Sequence, residues 1–347
     1  MGDPLLEVED LTIQYDTPSG KLAAVSNATF TVDSGEYFGL VGESGSGKST
    51  IVKAVLGALD DNGEIASGVI RYKGEEIQDY SEAELNKRIR WKEISWIPQS
   101  SMNSLDPLTR ISDQAVELAD VHTDLSMKAA LNRFKEMFEV VGLSSNRVSD
   151  YPHQFSGGMK QRAMIALALF LDPELILADE PTTALDVIMQ DQVFEYLEHI
   201  KEDTETSMML ITHDISVVFE SCDDMAIMHG GQVAETGTVK EVFDAPKHPY
   251  GILLQRAFPD LRFPDQELEV IKGHPPQSKG EVNYCTFAGR CPWAVEECER
   301  AAPPLEPVAE AEGDHRAACI RKDEVLELYE ADTGNVSGAT EGQDVGQ

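Results

Sequence analysis

A glycine-rich turn near the start of the chain has the residue types that bind phosphate. The run GESGSGKS, from Gly42 to Ser49, matches the pattern G-x-x-x-x-G-K-[ST] in full and stands between an apolar run and a helical one. Glycines let backbone N–H groups curl around phosphate oxygens, and the helix N-terminus adds partial positive charge. The alternative is a glycine-rich turn with a chance lysine. The pattern predicts a phosphate site built from Gly42, Glu43, Ser44, Gly45, Ser46, Gly47, Lys48, Ser49 and Thr50.

Two carboxylates at the end of a later apolar run would complete this chemistry. Asp179 and Glu180 directly follow the strand-length run LILA. Adjacent side chains point in different directions from a strand end, so the two acids can have separate roles. Lys48 would reach the terminal phosphates, while Ser49 and Asp179 would hold Mg²⁺. Glu180 would orient or deprotonate the attacking water. An acidic strand terminus without such a role is the alternative.

A second glycine-containing turn precedes the most apolar helix. Residues 155–162 read FSGGMKQR, in which Ser156 has the position of an N-cap. Gly157 and Gly158 leave backbone amides open to a phosphate at a helix N-terminus. Simple helix capping would explain the same residues.

Short apolar runs alternate with helical spacings along the chain and predict an α/β fold with parallel strands. From about residue 106 to residue 143 the apolar side chains recur near the helical period, which predicts a helical subdomain at about residues 101–165 inserted into the sheet domain. Composition changes after Pro249 to a proline-, cysteine- and acid-rich region. We therefore expect an α/β domain over residues 1–258, a small extension over 259–330 and a disordered tail over 331–347.

The order of these motifs resembles that of ABC-type ATPases over about residues 5–258. After the Walker A turn come Gln99 behind a strand, SGG-x-x-QR, DEPT with an ALD that ends at Asp186, and then His213. The resemblance implies an ABC-type P-loop ATPase domain that hydrolyses ATP with Mg²⁺. It also implies that Tyr15 stacks on adenine, that Gln99 senses the γ-phosphate and Mg²⁺, that Asp186 lies at a dimer seam and that His213 clamps the γ-phosphate.

Two of these assignments have ordinary alternatives. Tyr15 could be a strand aromatic that packs on the core. His213 could be a loop histidine, although its place after the run MMLIT is where an α/β sheet presents ligand-binding groups.

The same resemblance implies a head-to-tail dimer. In it, Ser156, Gly157 and Gly158 of one subunit close over the γ-phosphate that Lys48 of the other subunit binds. The signature reads FSGGM where many relatives have LSGGQ, but its serine and glycines are intact. The transmembrane permease subunits and an extracytoplasmic substrate-binding protein would be separate chains.

The C-terminal extension resembles that of the peptide/nickel importer branch of ABC ATPases. Residues 247–250 read KHPY, residues 273–276 read GHPP and a cysteine cluster follows, while residues 101–107 read SMNSLDP. The resemblance implies peptide uptake, with nickel chelates or oligosaccharides as alternatives. Because it points to one of two motor types that this branch often pairs, it also implies a paralogous ATPase subunit and hence a heterodimer.

Four cysteines in the extension could bind a metal. Their spacing, C-x5-C-x6-C-x20-C, lacks the C-x2-C pairs of most zinc ribbons. The resemblance implies the [4Fe–4S] cluster found in some members of the branch. Zinc, or reduced cysteines packed as small apolar side chains, are the alternatives. The cysteines are Cys285, Cys291, Cys298 and Cys319, and the arginines expected to offset cluster charge are Arg290, Arg300, Arg316 and Arg321.

Charge and the chain's apolar runs bear on partners and location. With 62 acidic and 28 basic residues the formal net charge is −34, which disfavours nucleic acid as a ligand. The excess is either an ordinary acidic surface or an adaptation to a high-salt cytoplasm, and its spread through the whole chain favours the halophile. No secretory signal, myristoylation motif or run of ~18 apolar residues is found. We expect a peripheral protein at the cytoplasmic side of the cell membrane.

The function expected from these features is that of an ATP-hydrolysing motor subunit in a peptide importer. One rival is a soluble ABC ATPase of translation or DNA repair, but such proteins usually have two cassettes or long coiled coils. An export or lipid-flipping motor is a second rival, which the importer-type extension weighs against.

Overall fold

A computed structural model of the chain describes residues 4–99, 104–182, 190, 201, 206–257, 271–276, 279–280, 282–309 and 313–337. The strands are β1 Pro4–Thr17, β2 Gly20–Asp33, β3 Tyr37–Val41, β4 Gly63–Tyr72, β5 Glu75–Glu76, β6 Ile94–Ile97, β7 Leu175–Asp179, β8 Ser207–Thr212, β9 Asp224–His229, β10 Gln232–Thr238, β11 Glu306–Pro307 and β12 Arg316–Ala317. The α-helices are α1 Lys48–Val55, α2 Glu82–Glu84, α3 Ile111–His122, α4 Met127–Val140, α5 Gly157–Leu169, α6 Ile215–Ser221, α7 Val239–Asp244, α8 Pro249–Ala257, α9 Glu296–Arg300 and α10 Val325–Ser337.

The described strands form two sheets, and the larger one positions the chemistry. The smaller sheet is antiparallel, in the order β2-β1-β4-β5, and the larger has the order β11-β12-β10-β9-β3-β8-β7-β6. From β9 to β6 every neighbouring pair is parallel, which confirms the expected α/β class. Parallel strands bring their carboxyl ends to one edge. The turn after β3, the acids at the end of β7 and the residue after β8 therefore meet there.

The central strands are apolar because helices and the second sheet cover them. Every residue of β3, β7 and β8 is buried, as is usual for parallel strands covered on both faces. One apolar cluster joins the larger sheet to β1, β2, β4 and α1, and the other joins it to the helical insertion and to the C-terminal extension. The strands whose carboxyl ends carry the predicted site residues are therefore buried on both faces.

The helical insertion lies between β6 and β7 and consists chiefly of α3, α4 and α5. Its core contains Phe134, whose ring centroid lies 5.0 Å from that of Phe138 and 5.4 Å from that of Phe170, both in edge-on geometry. The Ser126 hydroxyl accepts a hydrogen bond from Ala129 N and begins α4, and Ser156 does the same for α5 through Met159 N. The first residues of the predicted helical segment, 101–103, lie outside the described part.

The C-terminal extension completes the large sheet rather than standing beside it. Strand β12 pairs with β10, so that Ala317 lies opposite Glu235. The Glu235 carboxylate is fully buried, shares a 2.8 Å hydrogen bond with His315 Nε2 and accepts backbone N–H groups of Lys247 and His248. Burial raises the pKa of the Glu235 carboxyl, against the effect of these hydrogen bonds, and its bond to His315 ties the extension to the ATPase domain.

The end of the chain differs from the sequence expectation. Helix α10 runs through Ser337, so residues 331–337 are helical where a disordered tail was predicted, because the helix that starts at Val325 continues into the small polar residues. Residues 338–347 of the predicted tail lie outside the described part. Within the described residues, every helix is too short or too polar to cross a membrane.

Candidate active site

The glycine-rich turn connects β3 to α1 and requires glycine at two places. Gly47 has φ 101° and directly precedes α1, and a Cβ there would lie 2.5 Å from the carbonyl oxygen of Ala24. A Cβ on Gly42 would lie 2.1 Å from the carbonyl oxygen of Met228. The turn therefore packs closely against the backbone of Ala24 on one side and of Met228 on the other.

Lys48 is a buried cation inside this turn. Its Nζ donates to the carbonyl oxygens of Gly42 at 2.6 Å and Glu43 at 3.0 Å and to Ser46 Oγ at 3.4 Å. These partners are neutral oxygens rather than carboxylates. Burial lowers the pKa of Lys48 to about 8, although the carboxylates of Glu180, Asp179 and Glu43 oppose the shift. An anionic phosphate would restore the stability of the charged form.

Ser49 and Asp179 form a pair of oxygen ligands beside this cation. The Ser49 hydroxyl donates to Asp179 Oδ1 at 3.1 Å, and Asp179 is 3% exposed. Burial raises the pKa of the Asp179 carboxyl, against the effect of the Ser49 hydrogen bond. Hydroxyl and carboxylate oxygens are hard donors that suit Mg²⁺. The pair fits the metal that the sequence predicts, and a bound Mg²⁺ would neutralise charge on the phosphates.

Glu180 is hydrogen-bonded to two other predicted site residues. Gln99 Nε2 donates to Glu180 Oε2 at 2.7 Å, and His213 Nδ1 lies 3.2 Å from Oε1. The backbone of Glu180 has φ 47°, a left-handed conformation that costs a non-glycine residue of order 1 kcal/mol and is typical of functional sites. Its carboxylate is thereby oriented and ready to accept a proton from a water molecule.

Lys48, Ser49, Gln99 and Glu180 line one cavity of about 300 Å³, a size that suits a small ligand. Asp179 and His213 do not line it and are linked to it through their contacts with Ser49 and Glu180. Three parts of its wall were not predicted, namely residues 22–24 of β2, Gly230 after β9, and Pro276 of the extension. The glycine pair at 230–231 follows an apolar run, a pattern from which a turn at a strand end could have been predicted. No pattern of spacing indicated that residues 22–24 or Pro276 line the cavity. The lining residues are Leu22, Ala23, Ala24, Ser44, Gly45, Gly47, Lys48, Ser49, Thr50, Gln99, Glu180, Gly230 and Pro276.

Other predicted site residues lie apart from this cavity or outside the described part. Tyr15 on β1 is half-buried, and a Cβ on Gly63 would lie 2.7 Å from its ring, so the ring packs on the sheet instead of lining the cavity. Ser156, Gly157 and Gly158 begin α5 and do not line the cavity either. Asp186 lies outside the described residues.

The four cysteines of the extension line a second, much smaller cavity of about 20 Å³. Burial raises the pKa of Cys291 to about 12 and that of Cys319 to about 11, so both are thiols at neutral pH. Over the described residues no group of three or more His, Cys, Asp and Glu side chains is arranged to hold a metal ion. The iron–sulfur expectation is therefore not confirmed.

The arginines expected to offset a cluster charge are mostly engaged elsewhere. Arg290 pairs with Glu43 of the glycine-rich turn, Arg300 with Glu296 and Arg316 with Asp314. Arg321 lines the thiol cavity, and its backbone N–H donates to Cys319 Sγ at 3.4 Å.

Comparison with known proteins agrees with this geometry. A family model described as "ABC transporter" matches residues 25–183, and one described as "Oligopeptide/dipeptide transporter, C-terminal region" matches residues 234–298. The oligopeptide transport ATP-binding protein OppD of Escherichia coli K12 is 42% identical over 306 residues, covering 88% of this chain and 90% of that protein. The dipeptide transport ATP-binding protein DppD of Bacillus subtilis 168 is 39% identical over 304 residues, covering 87% of this chain and 90% of that protein.

Solved structures with the same fold include nucleotide-bound cassettes. The ATP-binding cassette MJ0796, a dimer in a post-hydrolysis state with ADP and Pi, aligns with a TM-score of 0.61 at 27% identity and covers 67% of this chain and 98% of its own. The cbiO1 protein of Clostridium perfringens, part of the ABC transporter complex cbiONQ, aligns with a TM-score of 0.59 at 26% identity and covers 73% of this chain and 94% of its own.

The geometry around Glu180 predicts a separation of ATP binding from hydrolysis. Glu180→Gln removes the proton acceptor but keeps the side-chain shape, so kcat should fall roughly 100- to 1000-fold while ATP affinity stays within about threefold. Phosphate release and equilibrium ATP binding measure the two quantities. Glu174→Gln, at the opposite end of β7 where Glu174 pairs with Lys73 on the surface, is the matched control. Fast hydrolysis by Glu180→Gln would contradict the assignment.

Proposed function

The chain belongs to the ABC transporter family of ATP-binding subunits, and we propose that it is the ATP-hydrolysing motor of an importer of peptides. The motor assignment rests on one observation, which is that Lys48, Ser49 and the Glu180 carboxylate line one cavity, with Asp179 hydrogen-bonded to Ser49. The importer assignment rests on residues 234–298, which match the C-terminal region of oligopeptide and dipeptide transporters.

In this function each group at the sheet edge has a role in phosphoryl transfer. Backbone N–H groups of the glycine-rich turn and the ammonium of Lys48 bind the phosphates, and the oxygens of Ser49 and Asp179 hold Mg²⁺. Glu180 accepts the proton of the attacking water, while Gln99 and His213 hold the carboxylate in place. Catalysis of this kind depends on positioning and charge stabilisation more than on covalent chemistry.

A second cassette completes the site in this proposal. Ser156, Gly157 and Gly158 begin α5 and do not line the chain's own cavity, and in this proposal the N-terminus of α5 binds a nucleotide held by another subunit. The head-to-tail dimer pairs this chain with a paralogue, and Asp186 lies at the seam. Tyr15 stacks on the adenine in this proposal. Two permease subunits and an extracytoplasmic substrate-binding protein complete the transporter, with this chain at the cytoplasmic face of the membrane.

The substrate class can be tested in the reconstituted transporter with its binding protein. Peptides should stimulate ATP hydrolysis several-fold, because substrate-loaded binding protein favours closure of the ATPase dimer, and Glu180→Gln should abolish the stimulation. Phosphate release is measured with peptides, nickel chelates and oligosaccharides in parallel. If only a nickel chelate or only a sugar stimulates hydrolysis, the chain is still an ATP-hydrolysing motor, but the assignment of peptides as the substrate is wrong.

The acidic surface is an adaptation to a high-salt cytoplasm in this proposal. At a net charge of −34, screening at about 1 M salt shortens the range of repulsion to roughly 3 Å and should stabilise the fold. The midpoint of thermal unfolding should therefore rise between about 0.1 M and about 1 M KCl, over which the screening length falls from roughly 10 Å to roughly 3 Å. A midpoint that does not respond to KCl would contradict the adaptation.

The four thiols of the extension hold a [4Fe–4S] cluster in this proposal. Two points support this proposal: the four cysteines line one cavity, and iron–sulfur clusters are bound by cysteine thiolates. The cavity between the cysteines, of about 20 Å³, has to widen when the cluster assembles.

Protein purified without oxygen should contain about four iron and four sulfide per chain, because each thiolate would bind one iron. Elemental analysis and visible absorbance measure both. Cys291→Ser should lose them, whereas Cys222→Ser, which changes the one cysteine outside the cavity, should keep them. Stoichiometric zinc, or no metal, would overturn the cluster.

A further inference from the structure

The second residue of the glycine-rich turn is held by the cysteine-bearing segment of the extension. The Glu43 carboxylate accepts two hydrogen bonds from Arg290, from Nη1 to Oε2 at 2.6 Å and from Nη2 to Oε1 at 2.8 Å. Such bidentate, charge-assisted pairs are about twice as strong as neutral hydrogen bonds and fix geometry in two directions. The backbone N–H of Glu43 also donates to Tyr250 Oη at 3.0 Å, so both its main chain and its side chain are anchored by residues that follow β10 in the chain.

Arg290 is itself fixed on every side. Its side chain is 7% exposed, its Nε donates to the carbonyl oxygen of Lys272 at 3.0 Å, and its Nη1 lies 2.9 Å from His229 Nε2. The other ring nitrogen of His229, Nδ1, lies 3.1 Å from Thr286 Oγ1. Burial, together with the nearby charge of Arg290, lowers the pKa of His229 to about 3. A neutral imidazole can accept at Nε2 while it donates at Nδ1. The guanidinium therefore has a single orientation.

This arginine lies in the short segment that carries two of the four cysteines. Residues Ala288–Arg290 form a 3-10 turn between Cys285 and Cys291, and Cys291 N donates to the carbonyl oxygen of Phe287 at 3.0 Å. Phe287 is buried against the rings of His229 and Tyr250. Any movement of this turn therefore moves the guanidinium that holds Glu43.

The backbone at Glu43 in turn holds the phosphate-binding cation. Lys48 Nζ donates to the carbonyl oxygen of Glu43 at 3.0 Å and to that of the preceding residue, Gly42. The carboxylate that Arg290 holds and the carbonyl that Lys48 contacts thus belong to the same residue. Arg290 acts on the nucleotide through two contacts in series, without lining the cavity.

We propose that Arg290 is a positioning residue for ATP binding, which sets the glycine-rich turn through Glu43 and makes the cysteine-bearing segment part of the nucleotide site. The proposal rests on the ATPase function proposed above. Loss of the pair leaves the reacting carboxylate Glu180 untouched, so it weakens ATP binding more than it slows hydrolysis. By reciprocity, bound ATP stabilises the segment from Cys285 to Cys291.

The test is a double-mutant cycle in the reconstituted transporter, whose second cassette completes the hydrolytic site, with Glu43→Gln, Arg290→Lys and the double variant of this chain. Either single change should raise the KM for ATP roughly tenfold with kcat within about twofold, and the double variant should be no worse than the singles. The control pair is Glu296→Gln and Arg300→Lys, an exposed salt bridge in the same extension, which should leave KM unchanged.

A second readout separates positioning from simple stability. Hydrogen exchange at the backbone amides of residues 285–291 should slow on ATP binding in the wild type and not in Glu43→Gln, a variant that keeps the side-chain shape. A folded Glu43→Gln protein with wild-type KM, or with a lowered melting temperature alone, would overturn the proposal. A wild-type chain that binds no ATP would instead refute the ATPase function.

Discussion

The buried ammonium of Lys48 is the constraint on which the rest of the site depends. Its direct partners are carbonyl oxygens and a hydroxyl, and burial lowers its pKa to about 8 even though nearby carboxylates favour the charged form. A triphosphate supplies the missing charge. The closed turn, the helix N-terminus and the carboxylates at the sheet edge all take their positions around that one group.

Parallel strands explain how distant parts of the chain reach this cation. Ser49 follows β3, Asp179 ends β7 and His213 follows β8, and the sheet register brings these strand ends to one edge. The extension adds β12 to the far side of the same sheet. Arg290, also in the extension, pairs with Glu43 of the turn that begins at Gly42. The importer-type region is thus continuous with the motor instead of a separate appendage.

The sequence patterns predicted functional groups that lie at the ends of strands. They missed groups whose positions depend on packing between distant parts of the chain. The apolar run LILA predicts Glu180 at a strand end, whereas Gln99 and His213 are assigned chiefly by the family resemblance. Neither source predicts the hydrogen bonds that join the three side chains. Arg290 carried no such signal, since its partner Glu43 lies 247 residues away in the chain. The family position of Tyr15 gave no information on its rotamer, and the ring packs beside Gly63.

Equilibrium ATP affinity measured between pH 7 and about pH 10, for the wild type and for Lys48→Ala, tests the central role of the buried ammonium most directly. Because a bound phosphate favours the charged lysine, wild-type affinity should be flat below pH 8 and fall about tenfold for each pH unit above it. Lys48→Ala should bind weakly and show no such fall. An alanine variant with wild-type affinity, or a wild type insensitive to pH above 8, would contradict the account.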